Sequence, residues 1–283
     1  MRSARDNAIS WGLGSGNLAP TANRVLPLIV SSSTHPRISN ATDRVALVTG
    51  TGRRLGTAIA TALHAEGLRV ALHYYRSEAP ALALCESLNS KRPDSAIAIK
   101  ANLSDTAELP RVVAAVAIAW GCLDVVVNNA AVFRPTPLPD ASPGVWDDIF
   151  NVNLKAPYFL CQAAAPLLQQ RQGCIVNLTD IYAERPRTDY AIYCASKAGL
   201  IGLTRALARE LAPQVRVNAI SPGAILWSAD APPAEQAAIM ARTPLGRAGD
   251  PTDIARAVSY LVHAPYVTGQ VLVVDGGRTI FDF

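Results

Sequence analysis

The chain has 283 residues, 50% hydrophobic and 17% charged, which describes a large apolar core and room for one large domain or two small ones. Its net charge of +4 is concentrated in the first 44 residues, where Arg2, Arg5, Arg24, Arg37 and Arg44 face only Asp6 and Asp43. The remainder is close to neutral and calls for no nucleic-acid partner, and no apolar run reaches the length of a bilayer span.

Residues 1–43 read as an extension rich in Ser, Asn, Arg and Pro, interrupted by one apolar run, Val25-Leu-Pro-Leu-Ile-Val30. Three origins stay open for it: an organelle transit peptide, a disordered tail, or a start codon placed too far upstream. From Arg44 onward, seven strand-like runs alternate with helical patterns. The expected strands are 45–48, 69–73, 96–100, 125–127, 173–177, 215–219 and 270–274. The expected helices are 58–66, 79–90, 109–120, 146–170, 196–211 and 251–262. This alternation predicts a single doubly wound α/β domain over 44–283, a parallel sheet with helices on both faces. In such a sheet, ligands sit beyond the carboxyl ends of the strands. Cys85, Cys122, Cys161, Cys174 and Cys194 form no CxxC pair, and His35, His64, His73 and His263 are dispersed. No metal site or disulfide framework is therefore expected. A reduced, cytoplasmic setting fits, with an organelle as the alternative if the extension is a leader.

The first strand-like run leads into Thr49-Gly-Thr-Gly-Arg-Arg-Leu-Gly56 and then a helical pattern. Strand, glycine turn and helix in this order present backbone N–H groups to a dinucleotide pyrophosphate. Gly50, Arg53, Arg54, Leu55 and Gly56 are the candidate binding residues. Arg54 stands where the usual fingerprint has its middle glycine, and two guanidinium groups here suggest an additional phosphate. After the second strand come His73-Tyr-Tyr-Arg-Ser77, with no acid to hold ribose hydroxyls. Arg76 and Ser77, flanked by His73 and Tyr74, suit a 2′-phosphate, so the expected cofactor is NADPH. Further on, Tyr193-Cys-Ala-Ser-Lys197 places a phenol and an ammonium one helical turn apart, where the cation would stabilise phenolate.

The ordered set TGTGRRLG, NNAA, NVN, YCASK, SPG and VDGG resembles the short-chain dehydrogenase/reductase family, and the likeness covers residues 44–283. It implies a Rossmann-type domain, a nicotinamide cofactor, and a catalytic group of Asn, Ser, Tyr and Lys, three of which map to Asn153, Tyr193 and Lys197. By the same resemblance Asn102, Leu103 and Ser104 edge the adenine, with Asn102 replacing the typical Asp. Asn129 and Ala130 lie along the cofactor, and Pro222, Gly223 and Ile225 surround the carboxamide. Lys197 binds the nicotinamide ribose and tunes Tyr193, while Asn153 holds a water leading to solvent. The family also implies a homotetramer.

The fourth catalytic group does not map. Thirteen residues before Tyr193, where the family has Ser, the chain has Asp180 in Asn177-Leu-Thr-Asp180. An ionised carboxylate only accepts hydrogen bonds, so Asp180 suits a substrate with N–H groups or a ring nitrogen in need of a proton. Alternatively, Thr179 replaces the Ser and Asp180 merely caps a turn. Asp180, Arg54 and the His73–Ser77 run together resemble the pteridine reductases of this family, with the dihydromonapterin reductases as close relatives. That resemblance sets Phe133 against the pterin, with Arg54, Asp180 and Tyr193 also at the substrate. Tyr190 either contacts substrate or packs. The implied reaction is NADPH-dependent reduction of a C=N bond in a pterin or folate. Two alternatives stand beside it: a carbonyl or 3-oxoacyl-thioester reductase, and a non-catalytic NADPH sensor. The pattern can include an arginine near the chain terminus; with the chain ending Thr279-Ile-Phe-Asp-Phe283, that role is not carried over.

Overall fold

The computed structural model describes residues 44–227 and 232–281. The extension 1–43, residues 228–231 of the 223–233 loop expected to close over the substrate (the substrate loop), and the last two residues lie outside the described residues. Seven strands form one parallel sheet: β1 Val45–Thr49, β2 Arg69–Tyr74, β3 Ala96–Lys100, β4 Val125–Asn128, β5 Cys174–Leu178, β6 Arg216–Pro222 and β7 Val271–Val274. Their spatial order is β3-β2-β1-β4-β5-β6-β7. The sheet is the doubly wound α/β arrangement expected of the alternating pattern.

Strands of continuous apolar residues need cover on both faces. Ala46, Val48, Val70 and Val127 pack on one side with Ile59, Leu63 and Val258, drawn from α1 (Arg54–Ala65) and α8 (Pro251–His263). Leu47, Val126 and Ile175 pack on the other with Leu109, Val116, Leu160 and Leu207. These come from α3 (Leu109–Trp120), α5 (Ala156–Arg171) and α6 (Ala191–Glu210). The side covered by the chain reverses between β1 and β4, and the crevice at their carboxyl ends is tied by Asn129. Its Nδ2 donates to the carbonyls of Thr49 and Gly50 at 2.7 and 3.1 Å.

Two differences from the expected elements matter for the site. The helix expected over 146–170 is divided into α4 (Pro143–Phe150), a π-helical turn at Asn151–Lys155, and α5. Pro157 has no N–H to give the carbonyl of Asn153, four residues earlier, so the α ladder cannot run through this point. Helix α7 (Pro233–Ala241) follows the substrate loop and was not expected. It buries no residue fully, so its sequence carries little core-facing periodicity. The remaining helices are α2 (Glu78–Lys91) and α9 (Arg278–Phe281).

In the glycine turn, a Cβ on Gly56 would stand 2.2 Å from the Gly50 carbonyl oxygen, so α1 and the turn touch backbone to backbone. Gly202 in α6 is exposed, and a Cβ there meets nothing within 4 Å. Gly56→Ala is expected to lose about 1–3 kcal/mol of stability from overpacking, whereas Gly202→Ala gains about 0.5–1 kcal/mol from backbone entropy. Urea denaturation of the two variants checks this, and equal effects would contradict it.

Candidate active site

A cleft of ≈ 700 Å³ opens along the carboxyl edge of the sheet and brings together nearly every residue singled out by the sequence, from Gly50 to Ile225. At its β1–β2 end, Gly50 adopts a left-handed φ of 71° and Arg54 one of 57°. The second is costly for a residue with a Cβ, about 1–2 kcal/mol. Arg54 spends one guanidinium nitrogen on the carbonyls of Leu226 and Trp227, at 3.2 and 3.1 Å, and so bridges the glycine turn to the substrate loop. Arg53, Arg54 and Arg76 are exposed. Among the described residues none of the three forms an ion pair. Ser77 abuts Gly52 so closely that a Cβ there would meet its Cβ at 2.4 Å. Three uncompensated guanidinium groups around a glycine turn fit the phosphates of a dinucleotide.

His73 has a structural task. The Gly50 N–H donates to Nδ1 at 3.2 Å, which leaves Nε2 to donate to the Ala101 carbonyl at 3.1 Å. Burial pushes its pKa down to about 4, so the ring is neutral and pins the turn to the sheet. The Tyr74 hydroxyl donates to Glu78 at 3.3 Å. Asn102 Oδ1 accepts from the Ser104 N–H at 3.1 Å, holding the Asn102–Leu103–Ser104 loop in shape. Ala130 donates its N–H to Thr49 Oγ1 at 3.0 Å, and Gly223 donates to the Val274 carbonyl at 2.9 Å, fixing the chain beside Pro222 and Ile225.

The reacting groups converge at the β4–β5–α6 junction. Tyr193 is 4% exposed and donates its hydroxyl to Asp180 Oδ2 at 2.8 Å. Asp180 Oδ1 accepts from the Tyr182 N–H at 2.9 Å, so the same carboxylate caps a 3-10 turn and receives the phenol. Thr179 is turned away: its hydroxyl donates to the Ile220 carbonyl at 2.8 Å, leaving no proton for a substrate oxygen. Burial pushes the Asp180 carboxyl above the usual carboxylate range, against the pull of its hydrogen bonds and of the Lys197 and Arg278 cations. Asn153, in the π turn, accepts from the Val132 N–H at 2.8 Å and donates to the Val132 carbonyl and to Ser196 Oγ, at 3.0 and 3.1 Å.

The Lys197 ammonium donates to the Leu178 carbonyl at 2.7 Å and lies over the Tyr193 ring, 5.8 Å from its centroid. Burial, and then Asp180, push the Tyr193 pKa well above 10. In this state Tyr193 is a proton donor held by a carboxylate.

Phe133 is 44% exposed and presents its ring to the cleft. It stacks on Tyr190 at 4.7 Å and meets Tyr193 edge-on at 4.8 Å. Sequence reasoning missed the groups at the far end: Tyr182, Arg187, Glu235 and Arg278 all line the cleft. The position of Arg278, just past the carboxyl end of β7, was the available signal. Also missed was a buried chain of amides and a hydroxyl. Asn128 donates to Asn177 at 2.8 Å, Asn177 to Thr204 at 2.9 Å, and Thr204 to the Leu200 carbonyl at 2.8 Å.

Lys197 is 2% exposed, and burial lowers its pKa from 10.5 to about 8. Holding it charged at neutral pH therefore costs about 3 kcal/mol. The cost is fully present below about pH 8 and fades between about 8 and 10.5, where the folded form has shed the proton and the unfolded form keeps it. Lys197→Met is expected to gain about 1–3 kcal/mol at pH 7, part of the cost being offset by the lost Leu178 bond. The gain shrinks toward pH 10 while turnover is lost. Urea unfolding at the two pH values checks this; a variant less stable at pH 7 would contradict it.

Comparison with known proteins agrees with this geometry. A family model described as enoyl-(acyl carrier protein) reductase matches residues 50–279. The chain is 41% identical over 238 residues to a 3-oxoacyl-[acyl-carrier-protein] reductase of Staphylococcus aureus, covering 82% of this chain and 96% of the relative. It is 38% identical over 284 aligned positions to pteridine reductase 1 of Leishmania tarentolae, covering 86% and 98%. Among the described residues no helix is long and apolar enough to cross a membrane, and no His, Cys, Asp and Glu cluster could hold a metal ion. With its seven-stranded parallel sheet, glycine turn and paired Tyr193 and Lys197, the chain belongs to the short-chain dehydrogenase/reductase family of NAD(P)H-using oxidoreductases.

Proposed function

We propose that this protein is an NADPH-dependent pterin reductase that reduces a C=N bond of a dihydropterin or dihydrofolate. The observation that carries this reading is the 2.8 Å hydrogen bond from Tyr193 to Asp180, with Thr179 facing inward. A ketone reductase needs hydroxyl donors around the oxygen that becomes an alkoxide. Here a carboxylate occupies that position, and it would repel such an oxygen. A pterin instead offers N–H groups to the carboxylate and a ring nitrogen that must gain a proton.

When bound, NADPH supplies the hydride. Arg53, Arg54, Arg76 and Ser77 would hold its phosphates; Asn102, Leu103 and Ser104 would edge the adenine. Asn129, Ala130, Pro222, Gly223 and Ile225 would line the nicotinamide half. Phe133 supplies a flat apolar face for the heterocycle. Asp180 accepts from the pterin N–H groups and, because burial raises its pKa, retains a proton to a higher pH than a solvated acid. The proton needed at the ring nitrogen passes from Tyr193 or through Asp180. Lys197 keeps a positive charge behind both groups. Asn153 connects the interior to the cleft rim through Val132. Residues 44–283 act as the catalytic domain of a cytoplasmic homotetramer in this reading, with 1–43 an extension.

A second reading, reduction of a 3-oxoacyl thioester, has its support in the name and 41% identity of the Staphylococcus aureus relative. Tyr193 would then be the sole hydroxyl donor to the substrate oxygen. Initial rates of NADPH oxidation with dihydrobiopterin, dihydrofolate and acetoacetyl-coenzyme A separate the two. Turnover of the pterins is expected, with Tyr193→Phe reducing it by about 10²–10⁴. Turnover of the thioester alone overturns the pterin reading, and cofactor binding with no turnover would indicate a sensor.

A further inference from the structure

The end of the cleft away from the glycine turn carries charge that hydride transfer does not use. Tyr182, two residues past Asp180, lies between two arginines: Arg187 Cζ is 5.8 Å and Arg278 Cζ 5.5 Å from its ring centroid. The two cations differ in what neutralises them. Arg187 is ion-paired to Glu235 of α7 at 2.6 Å and stacks over Tyr190 at 4.6 Å. Among the described residues Arg278 forms no ion pair. Among the described residues its guanidinium donates from Nη2 to the Tyr182 hydroxyl, at 3.4 Å.

Among the described residues, the acids beside Arg278 already accept hydrogen bonds from other groups. Asp275 gives one carboxylate oxygen to the Gly277 N–H at 2.9 Å and the other to the Thr279 N–H at 2.7 Å. Asp180 is taken by Tyr193 and Tyr182. Arg278 is partly buried and lines the same cleft as Asp180. A guanidinium carries five N–H donors in a planar fork matched to two oxygens of one anion. Arg53 and Arg54 follow β1 and Arg76 follows β2, at the glycine-turn end of the cleft, so Arg278 is not needed for the cofactor's phosphates.

We propose that Arg278, steadied by Tyr182 and flanked by Arg187, is the anion-binding subsite for an acidic group on the substrate's tail, a carboxylate or a phosphate. The inference rests on the pterin reading for the heterocycle, but the charged fork is a property of the cleft whichever ring or carbonyl is reduced. Arg278 thus determines specificity: it selects among substrates with the same reacting centre by the charge they carry beyond it.

Three pterins that differ in the tail test this: dihydrobiopterin (uncharged), dihydrofolate (carboxylates) and dihydroneopterin monophosphate (phosphate). In Arg278→Leu, kcat/KM for an acid-tailed substrate is expected to fall at least about tenfold relative to dihydrobiopterin, the scale of one charge-assisted contact. Arg278→Lys restores most of the ratio. Calorimetric affinity of folate for the enzyme–NADP⁺ complex weakens in parallel in Arg278→Leu. In the wild type, added salt weakens that affinity more than it weakens the affinity for biopterin. A selective loss for dihydrofolate identifies a carboxylate, and for the phosphate ester a phosphate. Equal changes for all three substrates in Arg278→Leu, or none, overturn the subsite. If wild-type enzyme reduces no pterin, the pterin reading fails separately. The same ratio is then read on acetoacetyl-coenzyme A against uncharged ethyl acetoacetate, with the same two outcomes.

Discussion

Covering both faces of a parallel sheet with helices leaves chemistry only one place to go. The strands are apolar on both sides, so polar side chains collect where the strands end, and any that remain buried must find partners. The chain meets that requirement with a connected set of hydrogen bonds from Asn128 on β4 through Asn177 on β5 to Thr204 on α6. A second set runs from Val132 through Asn153 and Ser196 to the Tyr193 carbonyl. Both end on α6, the helix that carries Tyr193 and Lys197. These ties hold the phenol and the ammonium at a fixed height above the sheet, and an unpaired amide in either would cost about 1–3 kcal/mol.

Within that frame three ionisable groups share one buried volume. Lys197 is stabilised as a cation by the Leu178 carbonyl and by Asp180, yet burial still lowers its pKa to about 8. Asp180 is raised by burial and Tyr193 by burial and Asp180. Each shift opposes charge, so the site keeps protons on Tyr193 and near Asp180 while tolerating a cation behind them. In the proposed pterin reading, that arrangement would deliver protons to a ring nitrogen.

The sheet and its order of motifs were legible because near-continuous Val and Ile runs, bounded by glycine turns, leave few other folds open. Tyr193 and Lys197 were legible as a pair because i,i+4 spacing fixes their face whatever surrounds them. How strongly they couple was not, since that depends on where the ammonium points, and the Leu178 carbonyl sets this. Asp180 stood out as a departure, but only the inward hydrogen bond of Thr179 decides which of the two neighbours faces the cleft. Arg187, Glu235 and Arg278 were harder to place for a different reason. They reach the cleft from a loop, a helix without a buried face and the chain's last short helix, where no periodicity marks orientation.

In the pterin reading, the carboxyl of Asp180, standing in the place of a hydroxyl, sets the choice between nitrogen heterocycle and ketone. The most direct measurement is kcat/KM of Asp180→Ser against wild type, on dihydrobiopterin and on an activated ketone such as ethyl 4-chloroacetoacetate. The predicted result is a crossing: pterin reduction falls by about 10²–10⁴, the scale of a lost general acid–base group, while ketone reduction rises. A variant that lowers both activities alike, or that leaves pterin reduction intact, would contradict it.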